Sequence, residues 1–307
     1  MTIDLAFATP RKLPKARDLK GRVVVVDIAF ASESGGGSFE TTTLPFIEAL
    51  GARLAAWVDH HDSDHHPRFA GDPRFLLRTK AAHGACPELI TPAVVEAAGH
   101  VDTLVCHNDF DGLASAAKWL RRGVECYPGC DADARAIDTR IGVCSPTGVR
   151  FDRAIRARPR DAGLFGIIVR HLAAGLADPS LWQPIDEAAG ELAMMEQETR
   201  RLADGYVHLG GSGVVFVDAT SHRGPYDKTL LLLLGQERAR IAAVLDGDSF
   251  SLAAPFDSGL NFLALLGLSG GMPTRVSIPK KRAKAALLAL GVKEPDARLV
   301  DASAENN

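Results

Sequence analysis

Residues 54–66 read LAAWVDHHDSDHH: an apolar run, Leu54 to Val58, that stops on Asp59-His60-His61 and continues through Asp62, Asp64, His65 and His66. The run is too short for a helix, and the lack of polar alternation suits a strand buried on both faces of a parallel sheet. The residues before it, 44–50, have helical spacing and close on Gly51, a C-terminal stop signal. The same grammar recurs on either side. Val23-Val24-Val25-Val26 ends at Asp27, and residues 101–106 end at His107 after a helical stretch, 92–98, closed by Gly99. Residues 113–122 then read as a helix closed by Gly123, and 124–127 as a short strand. Strands alternating with helices predict βαβ units, hence an α/β fold with a mostly parallel sheet and helices on both faces. The carboxyl ends of such strands form one rim, where sites are built. Asp27, Asp59 and His107 are therefore expected to converge.

Residues 154–205 have a helical pattern broken around 178–180, and the piece 186–204 suits a connecting helix. Beyond it, residues 214–218, 241–245 and 250–254 read as strands, with Asp246-Gly247-Asp248 as a turn, and 280–290 as a final helix. The expected division is a larger domain over residues 1–185, a connecting helix over 186–205 and a smaller α/β domain over 206–307.

Of the 307 residues 46% are hydrophobic and the net charge is -3, which excludes a disordered or collagen-like chain. With 35 Lys and Arg against 38 Asp and Glu, no global positive field exists to grip a long polyanion. The strongest apolar run, Leu230 to Leu234, is far shorter than the ~20 residues of a membrane span. The N-terminus lacks the charged-then-apolar order of a signal peptide, and five scattered cysteines suggest no disulfide framework, so a cytoplasmic protein with no membrane partner is expected.

The chemistry is concentrated in His107-Asn108-Asp109-Phe110-Asp111-Gly112. Read as extended chain, it points His107, Asp109 and Asp111 to one side, and Gly112 permits a sharp turn into the next helix. Asp27 and Asp59 join them at the neighbouring strand ends. Carboxylates ~4 Å apart repel by about 4 kcal/mol per pair at an effective dielectric of ~20, so such a cluster calls for cations. A mixed oxygen and imidazole set suits Mn²⁺ or Mg²⁺ better than a thiolate zinc site.

With these residues in view, the chain resembles the DHH phosphoesterase superfamily, including its RecJ-like and nanoRNase-like members. Asp59-His60-His61 matches the signature triplet, His107 to Gly112 the family's H/D-x-D-x-D-G motif, and Asp27 its single bridging aspartate. Residues 84–90, GACPELI, are similar to the stretch that follows the triplet in relatives. The likeness covers roughly residues 20–145, with the motif order permuted. It implies two divalent ions, Mn²⁺ with Mg²⁺ or another divalent metal as substitutes. His107, Asp109 and Asp27 would hold one ion; Asp111, Asp27, His60 and Asp138 would hold the other, with Asp131 and Asp133 as rivals of Asp138. His61 would contact the scissile phosphate or leaving oxygen, and Asp59 would orient His60.

In the smaller domain, Gly267-Leu268-Ser269-Gly270-Gly271-Met272-Pro273 is similar to the family's substrate loop, which gives Gly270, Gly271 and Arg275 as substrate contacts. The histidine that relatives carry after those glycines is replaced by Met272 and its neighbours. The implied activity is hydrolysis of a small phosphoester, such as a short oligonucleotide, cyclic dinucleotide or nucleotide, with water activated between two metals. A pyrophosphatase or exopolyphosphatase, and a non-catalytic nucleic-acid-binding protein of the same fold, are the alternatives. The partners expected are a small phosphorylated substrate and short single-stranded nucleic acid, and a homodimer is left open. His65 and His66 read as a surface loop, Cys126 and Cys130 as no zinc site, Gly35-Gly36-Gly37 as a loop near the rim, and Lys280-Lys281-Arg282 as a solvated helix start.

Overall fold

The computed structural model describes residues 3–32 and 37–302. Two compact units emerge, one from residues up to Ala31 with Gly37–Leu192, the other from Ala193 onward together with Ser32. Of the Gly35-Gly36-Gly37 loop, Gly35 and Gly36 lie outside the described residues.

The first unit is a five-stranded sheet of β1 (Asp4–Ala8), β2 (Val23–Val26), β3 (Leu54–Asp59), β4 (Phe75–Leu77) and β5 (Thr103–His107), in the order β1-β5-β2-β3-β4. Every pairing is parallel. Its helices are α1 (Leu44–Leu50), α2 (Pro92–Ala98), α3 (Phe110–Leu120), α4 (Cys130–Thr139), α5 (Pro146–Ala157), α6 (Ala162–Ala173) and α7 (Trp182–Ala203), the last of which carries the division between units.

Side chains alternate faces along a strand, and β2 shows what that does. Val24 and Val26 enter one core with Leu113, Phe151 and Phe165, while Val23 and Val25 enter another with Phe46, Leu50 and Trp57. All four valines are fully buried, at roughly 1.5–3 kcal/mol each. A strand apolar on both faces must have both covered, and helices cover both.

The second unit is a mixed sheet in the order β10-β9-β8-β7-β6, formed by β6 (Val207–His208), β7 (Val214–Asp218), β8 (Ile241–Asp246), β9 (Ser249–Ala253) and β10 (Arg275–Pro279). Only β7 and β8 pair in parallel. The β8–β9 hairpin turns at Gly247, whose φ of 55° is the left-handed conformation glycine tolerates. Helices α8 (Lys228–Gln236), α9 (Phe262–Leu266) and α10 (Ala283–Ala289) accompany it.

Residues 124–127, expected as a strand, form no strand. Val124 is 54% exposed, and the segment is drawn into a turn that leads into α4, with Asp131 N donating to Glu125 Oε1 at 3.0 Å. The helical region after residue 145 is broken once more than its pattern suggests, where Asp161 caps α6 by accepting from Leu164 N. Strands β1 and β4 are half-buried and escape the search for fully apolar runs.

Candidate metal centre

Register places three strand ends on one rim. Val26 lies opposite both Val58 and Cys106, so Asp27, Asp59 and His107 all fall at the carboxyl ends of adjacent strands. Asp27 continues β2 only through its N–H, which donates to Val58 O at 2.9 Å. Its φ of 56° is left-handed, uncommon for a residue with a Cβ and worth about 1–3 kcal/mol of strain. That turn leaves the carboxylate 1% exposed, with neither oxygen hydrogen-bonded.

Around it lie the donors. His60 Nε2 is 3.2 Å from Asp27 Oδ1, 3.2 Å from Asp111 Oδ2 and 3.8 Å from Asp138 Oδ2. His107 Nδ1 is 3.8 Å from Asp27 Oδ2 and 2.7 Å from Asp109 Oδ2, the latter contact misaligned for a hydrogen bond. Three groups thus bring ligand atoms within 4.8 Å of one another: Asp27, His107 and Asp109; His60, Asp111 and Asp138; and Asp27, His60 and His61.

The triplet's histidines are oriented differently from expectation. Asp59 does not hold His60; its Oδ1 accepts from His61 Nδ1 at 2.8 Å. His60 Nδ1 instead donates to the His83 carbonyl at 2.9 Å. The consequence is chemical, because a donating Nδ1 fixes the tautomer and leaves Nε2 as the lone-pair nitrogen aimed at the carboxylates. The two rings nevertheless lie side by side, with centroids 4.6 Å apart, and both approach Asp27 Oδ1.

Asp111 arrives by another route than extended alternation. The chain is already helical at Phe110, with Asp109 as the cap accepting from Gly112 N at 3.2 Å, and Asp111 sits in the first turn of α3. There it accepts from Cys86 N at 3.2 Å, which gives the 84–90 stretch a supporting part. Gly112 serves close approach and not a sharp turn: a Cβ there would come within 2.6 Å of the His107 carbonyl oxygen.

Of the acidic rivals on α4, Asp138 is the one near His60. Asp131 pairs with Lys118, while Asp133 accepts from Tyr127 Oη at 2.7 Å and Ser145 N at 2.6 Å. His65 stacks on Phe39 and His66 meets Phe30 edge-on, so both rings have aromatic partners. Gly270, Gly271 and Arg275 lie in the second unit, where both glycines have positive φ and Arg275 Nη2 donates to Thr229 Oγ1 at 3.3 Å.

One residue of the site has no signal in the sequence. Lys80, in the loop after β4, is 2% exposed, with Nζ against Asp138 Oδ2 and 3.3 Å from His60 Nε2. Nothing in Arg78-Thr79-Lys80-Ala81 marks it out.

The electrostatics follow from crowding. Burial, then the charges of Asp111, Asp109 and Asp59, push the Asp27 carboxyl well above the usual carboxylate range. Burial works to lower His107, but Asp109 outweighs it and raises the imidazole; His60 is raised by Asp111 against burial and Lys80. Burial would also lower Lys80, yet Asp138, Asp111 and Asp27 more than reverse this and hold the ammonium above its ordinary range. A buried carboxylate with no hydrogen-bond donor costs several kcal/mol unless a cation meets it. The orphaned oxygens of Asp27, facing His107 and Asp109, therefore fit a divalent ion of the oxygen-and-nitrogen-binding kind.

Among the described residues no helix is long and apolar enough to cross a membrane. No family model matches the sequence, and no curated protein matches it. A solved structure that the chain is similar to is a pGpG-specific phosphodiesterase, PggH, from Vibrio cholerae, with 12% identity, a TM-score of 0.39, and coverage of 92% of this chain and 99% of that one.

Proposed function

We propose that this protein is a divalent-metal-dependent phosphohydrolase acting on a small phosphoester such as a short oligonucleotide, cyclic dinucleotide or nucleotide. The observation that carries the reading is Asp27: a buried carboxylate with neither oxygen hydrogen-bonded, strained into a left-handed turn, between histidines that follow or end two other strands. Strain and an unmet buried charge at one residue are retained where function needs them.

A divalent ion, Mn²⁺ or Mg²⁺, held by Asp27, His107 and Asp109 would polarise a phosphoryl oxygen and favour ionisation of the attacking water. The chain's own groups supply the rest. His61 Nδ1 donates to Asp59, which leaves Nε2 as the basic nitrogen, and the ring is 19% exposed at the rim. That is the arrangement of a base held in one tautomer by a buried carboxylate, able to take a proton from water or return it to the leaving oxygen. Asp59 lies below its ordinary range, because His61 and His60 outweigh its burial, and so stays ionised to hold the ring. Gly270, Gly271 and Arg275 are proposed as phosphate contacts of the second unit, a guanidinium beside a glycine turn being suited to bidentate phosphate binding.

A small substrate is preferred because the chain carries 35 basic against 38 acidic residues, and a long strand is gripped by many Lys and Arg contacts. The test is a Mn²⁺-supplemented hydrolysis screen over linear dinucleotides, cyclic dinucleotides, nucleoside monophosphates, pyrophosphate and polyphosphate, with Asp109→Ala beside the unaltered protein. Release of product from a phosphoester, lost in the variant, is expected. Hydrolysis confined to pyrophosphate or polyphosphate would transfer the reading to a pyrophosphatase, and no hydrolysis of any compound would overturn it.

A further inference from the structure

The resemblance to metal-dependent phosphoesterases implies two ions, and the two triads His107–Asp27–Asp109 and His60–Asp111–Asp138 look like their two seats. The seats are not equivalent. At the first, the ligand atoms facing one another are anionic oxygens and an imidazole nitrogen, with the carboxylate of Asp27 lacking any donor. At the second, the gap between His60 Nε2 and Asp138 Oδ2 is 3.8 Å wide. An ion bonded to both at about 2.0–2.1 Å has to lie close to the line joining them. Lys80 Nζ touches Asp138 Oδ2 and stands 3.3 Å from His60 Nε2, so it covers the same gap. An ammonium and a divalent ion cannot share it.

Nor can Lys80 readily leave. The residue is 2% exposed, among the largest fully buried side chains of the molecule. Its own N–H is tied to Asp62 Oδ2 at 3.4 Å, and β4 ahead of it pairs along β3 in register with the triplet strand. Charge agrees with geometry. Asp27 and Asp111 flank the same His60 nitrogen, with Asp138 beyond it, and a fixed ammonium in their midst supplies part of the positive charge a second ion would bring. An Asp27 side chain with neither oxygen hydrogen-bonded still needs one more cation, which is the first seat's ion.

We propose that this chain binds one divalent ion, at Asp27, His107 and Asp109, and that the Lys80 ammonium permanently fills the second position between His60, Asp111 and Asp138. The proposal rests on the metal-dependent reading above but is separable from it, because it concerns the number of ions and not the reaction. Lys80 becomes a built-in cation of the phosphate site: it neutralises the carboxylates without exchanging into solvent, and its effect does not vary with metal supply.

The experiment is equilibrium binding of Mn²⁺, by calorimetric titration and by electron paramagnetic resonance of the loaded protein. The unaltered chain is expected to bind one ion, with the six-line spectrum of an isolated Mn²⁺, and Asp109→Asn to bind it at least tenfold more weakly. Lys80→Met, which keeps the length of the side chain and removes the charge, is expected to bind two ions and to show the broadened spectrum of a coupled pair; Lys80→Gln serves the same purpose, and thermal melting of both checks that they fold. Two ions in the unaltered chain would overturn the proposal and leave the hydrolase reading standing. One ion in folded Lys80 variants would also overturn it, since nothing then blocks the second seat. No ion in any form would remove the metal-dependent reading itself. If neither variant folds, the count in the unaltered chain decides alone.

Discussion

Replacing Asp27 by Asn should make the metal-free protein more stable and metal-blind at once. Asp27 Oδ1 and Asp111 Oδ2 each lie 3.2 Å from the same His60 nitrogen, which puts them within about 6 Å of each other; at a pH above the raised Asp27 value, where its carboxyl is ionised, their repulsion at an effective dielectric of ~20 is about 3 kcal/mol, and at lower pH the gain from Asn shrinks toward zero. Lys80 and His60 return part of this by attraction, and the asparagine amide can donate to the neighbouring carboxylates, so a net gain of about 1–2 kcal/mol is expected. For a unit of this size each kcal/mol moves Tm by about 2–4 °C, giving an upward shift of about 2–8 °C in EDTA. The unaltered chain should gain about 2.7 kcal/mol when Mn²⁺ is raised to a hundred times its Kd, and Asp27→Asn should gain nothing. Differential scanning calorimetry of the intact chain, following the transition that Mn²⁺ moves in the unaltered protein, reads both effects. A lower Tm for Asp27→Asn in EDTA, or an undiminished response to Mn²⁺, would refute the reasoning, because Asp27 would then be a structural residue.

Other outcomes follow from the same geometry. Asp27, His60 and His107 all hold protons more tightly folded than unfolded, from ordinary values of 3.8 and 6.5, so the folded state binds more protons and stability falls as pH rises through their raised values. Asp59 and Asp109, both lowered, act in the opposite sense only below the ordinary carboxylate range. The lowered His66 and His171 work the other way near the ordinary histidine value, so the site is read by difference: the Tm advantage of Asp27→Asn over the unaltered metal-free chain should grow as pH rises above about 4, and the stabilisation of the unaltered chain by Mn²⁺ should grow with it; an advantage that shrinks with rising pH would contradict this. Asp59→Asn should leave Mn²⁺ affinity within a few-fold and lower kcat by about 10–100-fold, since it frees His61 without touching the ion's ligands; equal loss of metal binding in a titration would count against it. Gly112→Ala places a Cβ 2.6 Å from the His107 carbonyl, so α3 must shift and Mn²⁺ affinity should fall measurably in a protein that still folds.

The sheet was readable because its strands are buried on both faces. Val23 to Val26 and Leu54 to Val58 have no polar alternation, and a continuous apolar run that ends on Asp admits few other readings. The half-buried β1 and β4 left no such mark, and residues 124–127 carry apolar residues but are drawn into the turn ahead of α4. The residues that meet at the rim were legible where a strand end and a motif coincide, as at Asp27, His60 and His107. Orientation was not, since which ring Asp59 holds depends on the side each residue faces once the strand stops. Lys80 was invisible for a related reason: its part in the site comes from the fold of a loop over His60, and a lone lysine has no spacing to betray it.

The decisive measurement is hydrolysis of whichever small phosphoester the screen identifies, followed against free Mn²⁺ concentration for the unaltered chain and for Asp27→Asn. The rate is expected to rise and saturate with Mn²⁺, to vanish in EDTA, and to be at least a hundredfold lower in the variant. A rate that is the same in EDTA, or the same in Asp27→Asn, would contradict the metal-dependent reading.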